Sequence, residues 1–273
     1  GRVLELNNRD YGATENVAIA PDRPDDTDKK YLVKEFLKSL YEEKLLYFNF
    51  DKKVWEYSLG KIEEQNITDN VVELIASNIK KLTKPTQESL KLAACIGSKF
   101  DIEIVSIIQE KEIEATQKDF QEALLESLIL RNGDQFKFAH DRIQQAVYSL
   151  IADKDKDVTH LNIGRLLIKN LKKDKQGEFL FDIVNHFNIG ISLITDSEEK
   201  EMLTQLNLQA GKKAKESSAF KLALDYLEKG ITLLKPDSWN SNYQTTLELY
   251  ALAGETAYLN GDFKKMDIYI SQV

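Results

Sequence analysis

The chain has 273 residues, of which 42% are hydrophobic and 30% are charged, and its formal net charge is −8. This composition is typical of a folded globular protein with one or two hydrophobic cores, and it excludes a largely disordered chain. Because Lys and Arg are mixed with Asp and Glu along the chain, we expect no general surface for nucleic acid or anionic lipid. The sequence shows no signal peptide and no apolar run of membrane-spanning length, which predicts a cytoplasmic protein without a membrane span.

The residue types that carry most enzyme chemistry are sparse and scattered. Cys95 is the single cysteine, and its apolar surroundings predict a buried, inert thiol. The three histidines, His140, His160 and His186, fall on separate predicted elements, so no Ser-His-Asp or Cys-His arrangement is indicated. No spacing of His, Cys and carboxylates matches a metal motif. We therefore expect neither a catalytic site nor a metal site in this chain, and no enzyme activity of its own.

The first part of the chain differs in composition from the rest. Residues 1–28 are rich in turn and linker residues, which predicts an extended arm or the remnant of a preceding domain. A helix follows over 31–41, and residues 46–57 predict an aromatic hairpin with a turn at 51–53. Thr68 or Asp69 is expected to cap a second helix that ends before Pro85. The apolar stripe of this second helix consists of Val72, Ile75, Ala76, Ile79 and Leu82.

Residues 85–151 have the order of a winged helix, three helices and then a two-stranded wing. Pro85 suits the first turn of the first helix, and Asp101 is expected to cap the second. Thr116 and Asp119 resemble a capping box, so the third helix is predicted to begin at Thr116. Asn132-Gly133 lies between two alternating apolar runs, which is a strong hairpin signal.

A change of hydrophobic period marks the end of this unit. Phe136 and Phe138 alternate as in a half-buried strand, and from Asp141 onwards apolar residues recur at helical spacing. His140 and Asp141 occupy the corner, where the free N–H groups of a helix N-terminus favour anions. The corner is thus a candidate phosphate-sensing position. The alternative is that Asp141 caps the helix and His140 is a structural histidine.

A winged helix raises the question of DNA binding. The predicted third helix, TQKDFQEALLES, sets Lys118 against Asp119, Glu122 and Glu126. An acidic helix repels the phosphates whose neutralisation supplies most sequence-independent DNA affinity. We therefore expect no nucleic-acid partner. A DNA-binding transcriptional regulator is kept as the alternative function, because the order of elements is that of a winged helix.

The remainder of the chain is predicted to be helical, with two stretches that can be aligned with each other. Small and bulky residues recur in both at the spacing of a degenerate tetratricopeptide hairpin, in which small residues let the paired helices approach. The predicted packing residues are Gly211, Ala214, Phe220, Ala223, Leu227, Gly230, Gly254, Ala257 and Phe263.

Residues 31–273 resemble the middle of very large signalling proteins that join a serine/threonine kinase domain, a STAND-type AAA ATPase, helical repeats and often a sensor histidine kinase. The resembling motifs are LVKEFLKSLYEEKLL, ITDNVVELIASNIKKL, ESLKLAACIGSKFD, FKFAHDRIQQAVYSLI, FDIVNHFN and LNLQAGKKAKESSAF. The resemblance implies an ATPase lid, a winged helix and a helical-repeat region. By analogy with related switches, it also implies that His140 meets the nucleotide phosphates in the resting state.

The chain departs from the family pattern in two places. It lacks the GxxxxGK[ST] loop and the acidic magnesium-binding strand, so it cannot assemble a complete ATP site by itself. Where the lid helix of the family opens with a Gly-Asn-Pro-like turn, this chain has Asp28-Lys29-Lys30. The chain alone is thus expected to bind no cofactor, and the resemblance leaves ATP or ADP as a ligand of a full-length protein.

The sequence therefore predicts a mainly α fold, a winged-helix domain with small β-hairpins followed by a tetratricopeptide-like α-α superhelix. The predicted segments are an arm or remnant at 1–28, a lid-like segment at 29–83, the winged helix at 84–151 and degenerate repeats at 152–273. The leading functional hypothesis is a regulatory and protein-interaction module that couples nucleotide state to the repeat surface. Expected partners are proteins bound by the repeats and the kinase or histidine kinase domains of the same polypeptide. A subunit or fragment of an ATP switch is a second hypothesis.

The connection between the last two segments is short. ADKDKD is all that separates Ile151 from Val158, and a helix connection of this length favours antiparallel neighbours in contact. We therefore predict that the winged helix and the repeats form one rigid body. Its spine is predicted to be the helix over 141–151, whose shared side chains are Ile143, Val147, Leu150 and Ile151.

Overall fold

The computed structural model describes residues 44–60, 71–133 and 135–273, together with Val33, Leu37, Leu40 and Tyr41. The predicted arm at 1–28 and the caps at Thr68 and Asp69 lie outside the described residues, as does most of the helix expected over 31–41. Contacts divide the chain into two compact units, Gly1–Tyr57 and Ser58–Val273. The four predicted segment boundaries stay predictions.

In the first unit the predicted hairpin is present. Its strands β1 and β2 are Leu46–Asn49 and Val54–Tyr57, and they pair antiparallel. One face carries the cross-strand aromatic pair Phe48 and Trp55, whose ring centroids lie 5.4 Å apart. On the other face Glu56 accepts hydrogen bonds from Tyr47 and Lys52 at 2.7 and 2.9 Å, so the polar face is held together by one carboxylate.

The second unit begins with a winged-helix order of elements. Its helices are α1 (Val71–Ile79), α2 (Lys84–Ile96), α3 (Ile102–Gln109), α4 (Ile113–Asp119), α5 (Gln121–Leu125) and α6 (Asp141–Ser149). Its strands are β3 (Lys99–Asp101), β4 (Ile129–Asn132) and β5 (Gln135–Phe138). The strands form an antiparallel sheet in the order β3-β5-β4, so the two-stranded wing gains a third strand that the sequence analysis did not predict.

An aromatic core explains why β3 joins the wing. Phe100 of β3 lies opposite Phe136 of β5, and their rings stack at 5.8 Å. Phe120, at the junction of α4 and α5, is fully buried against both rings at 5.4 and 6.0 Å. Aromatic rings at such separations stabilise a core beyond the effect of their buried area. A strand of only three residues is thus anchored by one phenylalanine.

The third helix differs from its prediction. It begins at Ile113 instead of Thr116 and is interrupted at Phe120. Thr116 is fully buried, and its hydroxyl donates to the carbonyl of Glu112 at 3.2 Å instead of capping the helix. A threonine side chain inside a helix commonly bonds back to the preceding turn in this way. The capping-box interpretation was therefore wrong, whereas Asp101 does cap α3 by accepting from Glu103 N at 2.9 Å.

Antiparallel helices make up the rest of the second unit. They are α7 (Asp153–Asn170), α8 (Lys173–Gln176), α9 (Leu180–Ile189), α10 (Ser197–Glu216), α11 (Phe220–Thr232), α12 (Ser238–Ser241), α13 (Tyr243–Leu259) and α14 (Phe263–Ile270). Neighbouring long helices pack as pairs, α7 with α9, α10 with α11, and α13 with α14. The predicted fold class is confirmed in that the described part of the chain is mainly α, with two small antiparallel sheets followed by helical pairs.

One hydrophobic cluster crosses from the winged-helix part into the helical pairs. It joins Ile104 and Ile108 of α3 and Ile151 to side chains of α7, α9 and α10. Ile143 and Val147 are fully buried, but α6, which carries them, packs against α1 and α2. On the winged-helix side the cluster also includes Cys95 of α2, and Tyr148 is the side chain of α6 that packs against it. Of the four side chains predicted to form the spine, Ile151 belongs to this cluster and Ile143, Val147 and Leu150 do not, which corrects the predicted spine while keeping a continuous core.

Candidate functional site

The structure places His140 and Asp141 at the predicted corner between β5 and α6. His140 is in extended conformation and is itself the N-cap, because its Nδ1 accepts from Arg142 N at 2.9 Å. Asp141 is the first residue of the helix and is exposed. The cap is thus supplied by the histidine instead of the aspartate, contrary to the structural alternative considered from the sequence. The capping bond fixes the orientation of the imidazole at the helix N-terminus.

Acidic side chains of α4 and α5 serve the packing of the winged-helix part. Glu122 accepts from the backbone N–H and hydroxyl of Thr83 at 2.9 and 2.8 Å, and from the hydroxyl of Thr86 at 3.1 Å. The hydrogen bond from the Thr83 backbone is the main cause that lowers the pKa of Glu122. Asp119 forms an ion pair with Lys111 at 2.7 Å. The helix expected to read DNA in a winged-helix regulator thus carries carboxylates bound within the protein.

Glycines mark the closest approaches between the helices of the repeat region. A Cβ atom placed on Gly211 would lie 2.7 Å from Leu227 Cγ, and one on Gly230 would lie 2.9 Å from Leu249 Cδ2. One on Gly254 would lie 3.0 Å from Ile270 Cγ1. The buried members of the predicted packing set are Gly211, Ala214, Ala223, Leu227, Gly230, Gly254 and Ala257, while Phe220 is half-buried. Phe263 differs, since it is 57% exposed with its ring against Tyr258 at 5.9 Å.

Two histidines far apart in sequence meet in the core. Nδ1 of His160 on α7 lies 2.8 Å from Nδ1 of His186 on α9, and Nε2 of His160 lies 3.0 Å from the hydroxyl of Tyr148 on α6. Burial lowers the pKa of His160. Burial, with the neighbouring His160, lowers the pKa of His186 to about 3. Both rings are therefore neutral at pH 7 and share one proton across the Nδ1–Nδ1 contact.

This chain of three side chains was not predicted from the sequence, in which the histidines fall on separate predicted elements. Its only sequence signal is that His160 and His186 both stand among apolar residues of a helical stripe, in HLNIGRLL and FDIVNHFN. Such a position predicts a buried histidine but does not identify its partner.

His186 also lines a cleft between the winged-helix part and the helical pairs. The cleft has a volume of about 250 Å³, and its walls come from the end of α2, β3, α3 and β5 on one side and from α7 and α9 on the other. The lining residues are Ile96, Lys99, Phe100, Asp101, Ile104, Gln135, Leu167, Glu178, Phe179, Asp182 and His186. Asp182 lies at the exposed rim of the cleft, and partial desolvation raises the pKa of its carboxyl group.

The described residues were also searched for metal ligands, a reactive cysteine and membrane-spanning helices. Over residues 44–60, 71–133 and 135–273, no group of three or more His, Cys, Asp or Glu is arranged to hold a metal ion. Cys95 is buried, and burial raises the pKa of its thiol to about 12. Among the helices of the described part, none is long and apolar enough to span a bilayer.

Comparisons with known proteins found similarity to two signalling proteins. No family model matches it. It is 30% identical over 294 residues to hybrid signal transduction histidine kinase G of Dictyostelium discoideum, covering 85% of this chain and 9% of that protein. It is 23% identical over 245 residues to the peroxide stress-activated histidine kinase mak3 of Schizosaccharomyces pombe, covering 85% of this chain and 10% of that protein. The chain thus spans about a tenth of the length of these curated relatives.

One solved structure is also similar. It is the STAND protein PH0952 of Pyrococcus horikoshii, which has a tetratricopeptide repeat sensor; the match has 13% identity and a TM-score of 0.43 over 74% of this chain and 33% of that one. A TM-score of this size does not establish a shared fold. From the sequence matches, the chain is similar to a region of large histidine-kinase signalling proteins.

Proposed function

We propose that this chain is a regulatory and protein-interaction region of a cytoplasmic signal-transduction protein of the STAND ATPase and kinase kind, and that it is not catalytic by itself. In this proposal the winged-helix part senses the nucleotide state of an ATPase core near His140, and the helical pairs present the surface for protein partners. Kinase or histidine kinase domains of the same polypeptide receive the signal. The similarity to two histidine kinases supports the signalling role.

The observation that carries the proposal is the hydrophobic cluster shared by α3, α7, α9 and α10. Coupling between two regions requires a packed connection through which a change at one end biases the other. Ile104 is 5% exposed and Leu167 is 1% exposed, and both belong to this cluster. A rearrangement of the winged-helix part would therefore disturb the packing of α7.

Hydrogen exchange of the intact chain tests the coupling. Ile104→Ala removes buried methyl groups and should cost about 2–5 kcal/mol of stability. We expect it to lower amide protection in α7 and α9 as well as in α3. The matched control is Ile113→Ala, because Ile113 lies in the same winged-helix part but is 39% exposed. If α7 and α9 keep full protection in Ile104→Ala, the two regions are uncoupled and the proposal is wrong.

Calorimetry with ATP and ADP tests whether this chain needs an ATPase core to bind nucleotide. The chain lacks the loop whose N–H groups cradle phosphates and the lysine that reaches them. We expect no saturable heat at micromolar nucleotide and no ATP hydrolysis. Micromolar binding would contradict the proposal that the chain depends on an ATPase core, and His140→Ala would then show whether the cap of α6 is the site.

A further inference from the structure

The cleft beside His186 combines an apolar floor with a charged rim. Phe100, Ile104 and Leu167 on its floor are each at most 5% exposed. Its volume of about 250 Å³ is below the roughly 300–1,000 Å³ of most small-molecule pockets. A nucleotide therefore exceeds the cleft, whereas a single polar group on a short hydrocarbon stem matches it.

The rim favours a cation. Asp101, Glu178 and Asp182 contribute three carboxylates, and Lys99 contributes one ammonium group, which leaves an excess of two negative charges. One oxygen of Asp101 already accepts from the N-terminus of α3. The nearby ammonium group of Lys175 pairs with Glu103 at 2.7 Å. Among the described residues, Asp182 makes no hydrogen bond or ion pair, so its partly desolvated carboxylate lacks a counter-charge.

A second observation comes from the floor and is independent of the rim. His186 is 5% exposed, and its Nδ1 is occupied by His160. Within the described part of the chain, its Nε2 has no hydrogen-bond partner, yet this atom is not sealed from solvent. A ring nitrogen of a buried histidine that has no protein partner costs stability unless water or a ligand forms a hydrogen bond with it. His186 lines the cleft, so a ligand that occupies the cleft contacts this side chain.

The contacts of the two histidines also connect the cleft to α6. If Tyr148 donates to His160, then His160 donates to His186, and Nε2 of His186 carries a hydrogen. In the opposite order His186 donates to His160, His160 donates to the oxygen of Tyr148, and Nε2 of His186 is an acceptor. A ligand that donates an N–H to His186 selects the second order. Its arrival is thereby transmitted through two hydrogen bonds to the helix that His140 caps.

We propose that this cleft binds one organic cation, an alkylammonium or alkylguanidinium group. Its hydrocarbon stem lies on Phe100, Ile104 and Leu167, and its N–H groups donate to the Asp182 carboxylate and to Nε2 of His186. Such a group belongs either to a free small-molecule amine or guanidine or to a Lys or Arg side chain of a protein segment, and both have the same recognition chemistry.

Nuclear magnetic resonance of the chain with isotope-labelled histidine tests the proposal. The probes are n-butylguanidinium and the peptide acetyl-Ala-Arg-Ala-amide, and butyrate at equal ionic strength is the anionic comparison. We expect both cationic probes to give saturable shifts of the His186 and His160 signals, with Nε2 of His186 moving toward the value of an unprotonated nitrogen. Tighter binding of the peptide would indicate that the natural ligand is a Lys or Arg side chain of a protein segment. Equal or tighter binding of n-butylguanidinium would indicate that it is a free small-molecule cation.

Two variants separate this site from a general charge effect. Asp182→Asn keeps the shape of an exposed rim residue and should weaken binding about tenfold or more, because a charged hydrogen bond is lost. Asp174→Asn, at an exposed position on α8 outside the cleft, should leave the affinity unchanged. Tyr148→Phe should preserve both the binding and the coupled change at His160, because the Nδ1–Nδ1 contact joins the two rings without the tyrosine. Butyrate binding as tight as that of the cations, no saturable binding of either cationic probe, or equal losses in the two Asp variants would each overturn the proposal.

Discussion

Replacement of Gly211 by alanine tests the close packing of α10 and α11. A Cβ at this position would lie 2.7 Å from both Cγ and Cδ2 of Leu227, whose side chain is fully buried. Forcing an extra methyl group into a packed core costs about 1–3 kcal/mol. The better helix propensity of alanine offsets about 1 kcal/mol of this cost. We therefore expect Gly211→Ala to lower the free energy of unfolding by roughly 0–2 kcal/mol.

The informative experiment repeats this substitution in a Leu227→Ala background. Leu227→Ala alone should cost about 2–5 kcal/mol because it leaves a cavity. With the leucine gone, the added methyl group has room, so Gly211→Ala should now stabilise the protein by up to about 1 kcal/mol. Urea denaturation followed by circular dichroism measures all four proteins. Gly177→Ala is the control, because a Cβ there meets nothing within 4 Å. A Gly211→Ala effect of the same sign and size in both backgrounds would refute the steric argument.

Four further predictions follow from buried or paired groups. The free energy of unfolding should fall as the pH drops below about 6.5, since the unfolded chain then protonates His160 and His186 while the folded His186 stays neutral until about pH 3; a stability that is flat from pH 7 to 5 would contradict this. Asn188→Ala should cost about 1–3 kcal/mol in urea denaturation, because Asn188 and Asn207 exchange two buried amide hydrogen bonds at 2.8 and 3.0 Å, whereas replacing both by leucine should cost less. Cys95 should react with a thiol reagent at pH 8 only after unfolding, and prompt labelling of the native protein would show that it is accessible. Random duplex DNA should show no micromolar, salt-sensitive binding in a fluorescence anisotropy titration, since the acidic side chains of α4 and α5 face phosphates unfavourably.

The sequence was informative wherever local periodicity determines the structure. The alternation at Phe136 and Phe138 and the stripe of α6 are both present, with Phe136 2% exposed and Ile143 fully buried. The hairpin signal at Asn132-Gly133 also holds, although Asn132 pairs with Gln135 and so ends β4 instead of lying in the turn. In each case the pattern depends on residues a few positions apart.

The features that the sequence did not reveal depend on contacts between distant residues. Strand β3 exists because Phe100 meets Phe136, and His160 meets His186 although 26 residues separate them. The cleft is likewise formed by elements that are far apart in the chain, from β3 to α9. No local spacing encodes such meetings, so a single sequence shows the buried character of these residues without showing their partners.

The cluster that spans α3, α7, α9 and α10 has a consequence for cleavage of the backbone. The loop between α6 and α7 is only three residues long and includes the exposed Ala152, whereas Ile151 beside it is 8% exposed and belongs to the cluster. Cutting the peptide bond at this loop would leave the apolar contacts between the two pieces intact. The two pieces should therefore remain associated after proteolysis. Pieces that are produced separately should assemble into the native arrangement, because each stabilises the folded state of the other by binding it.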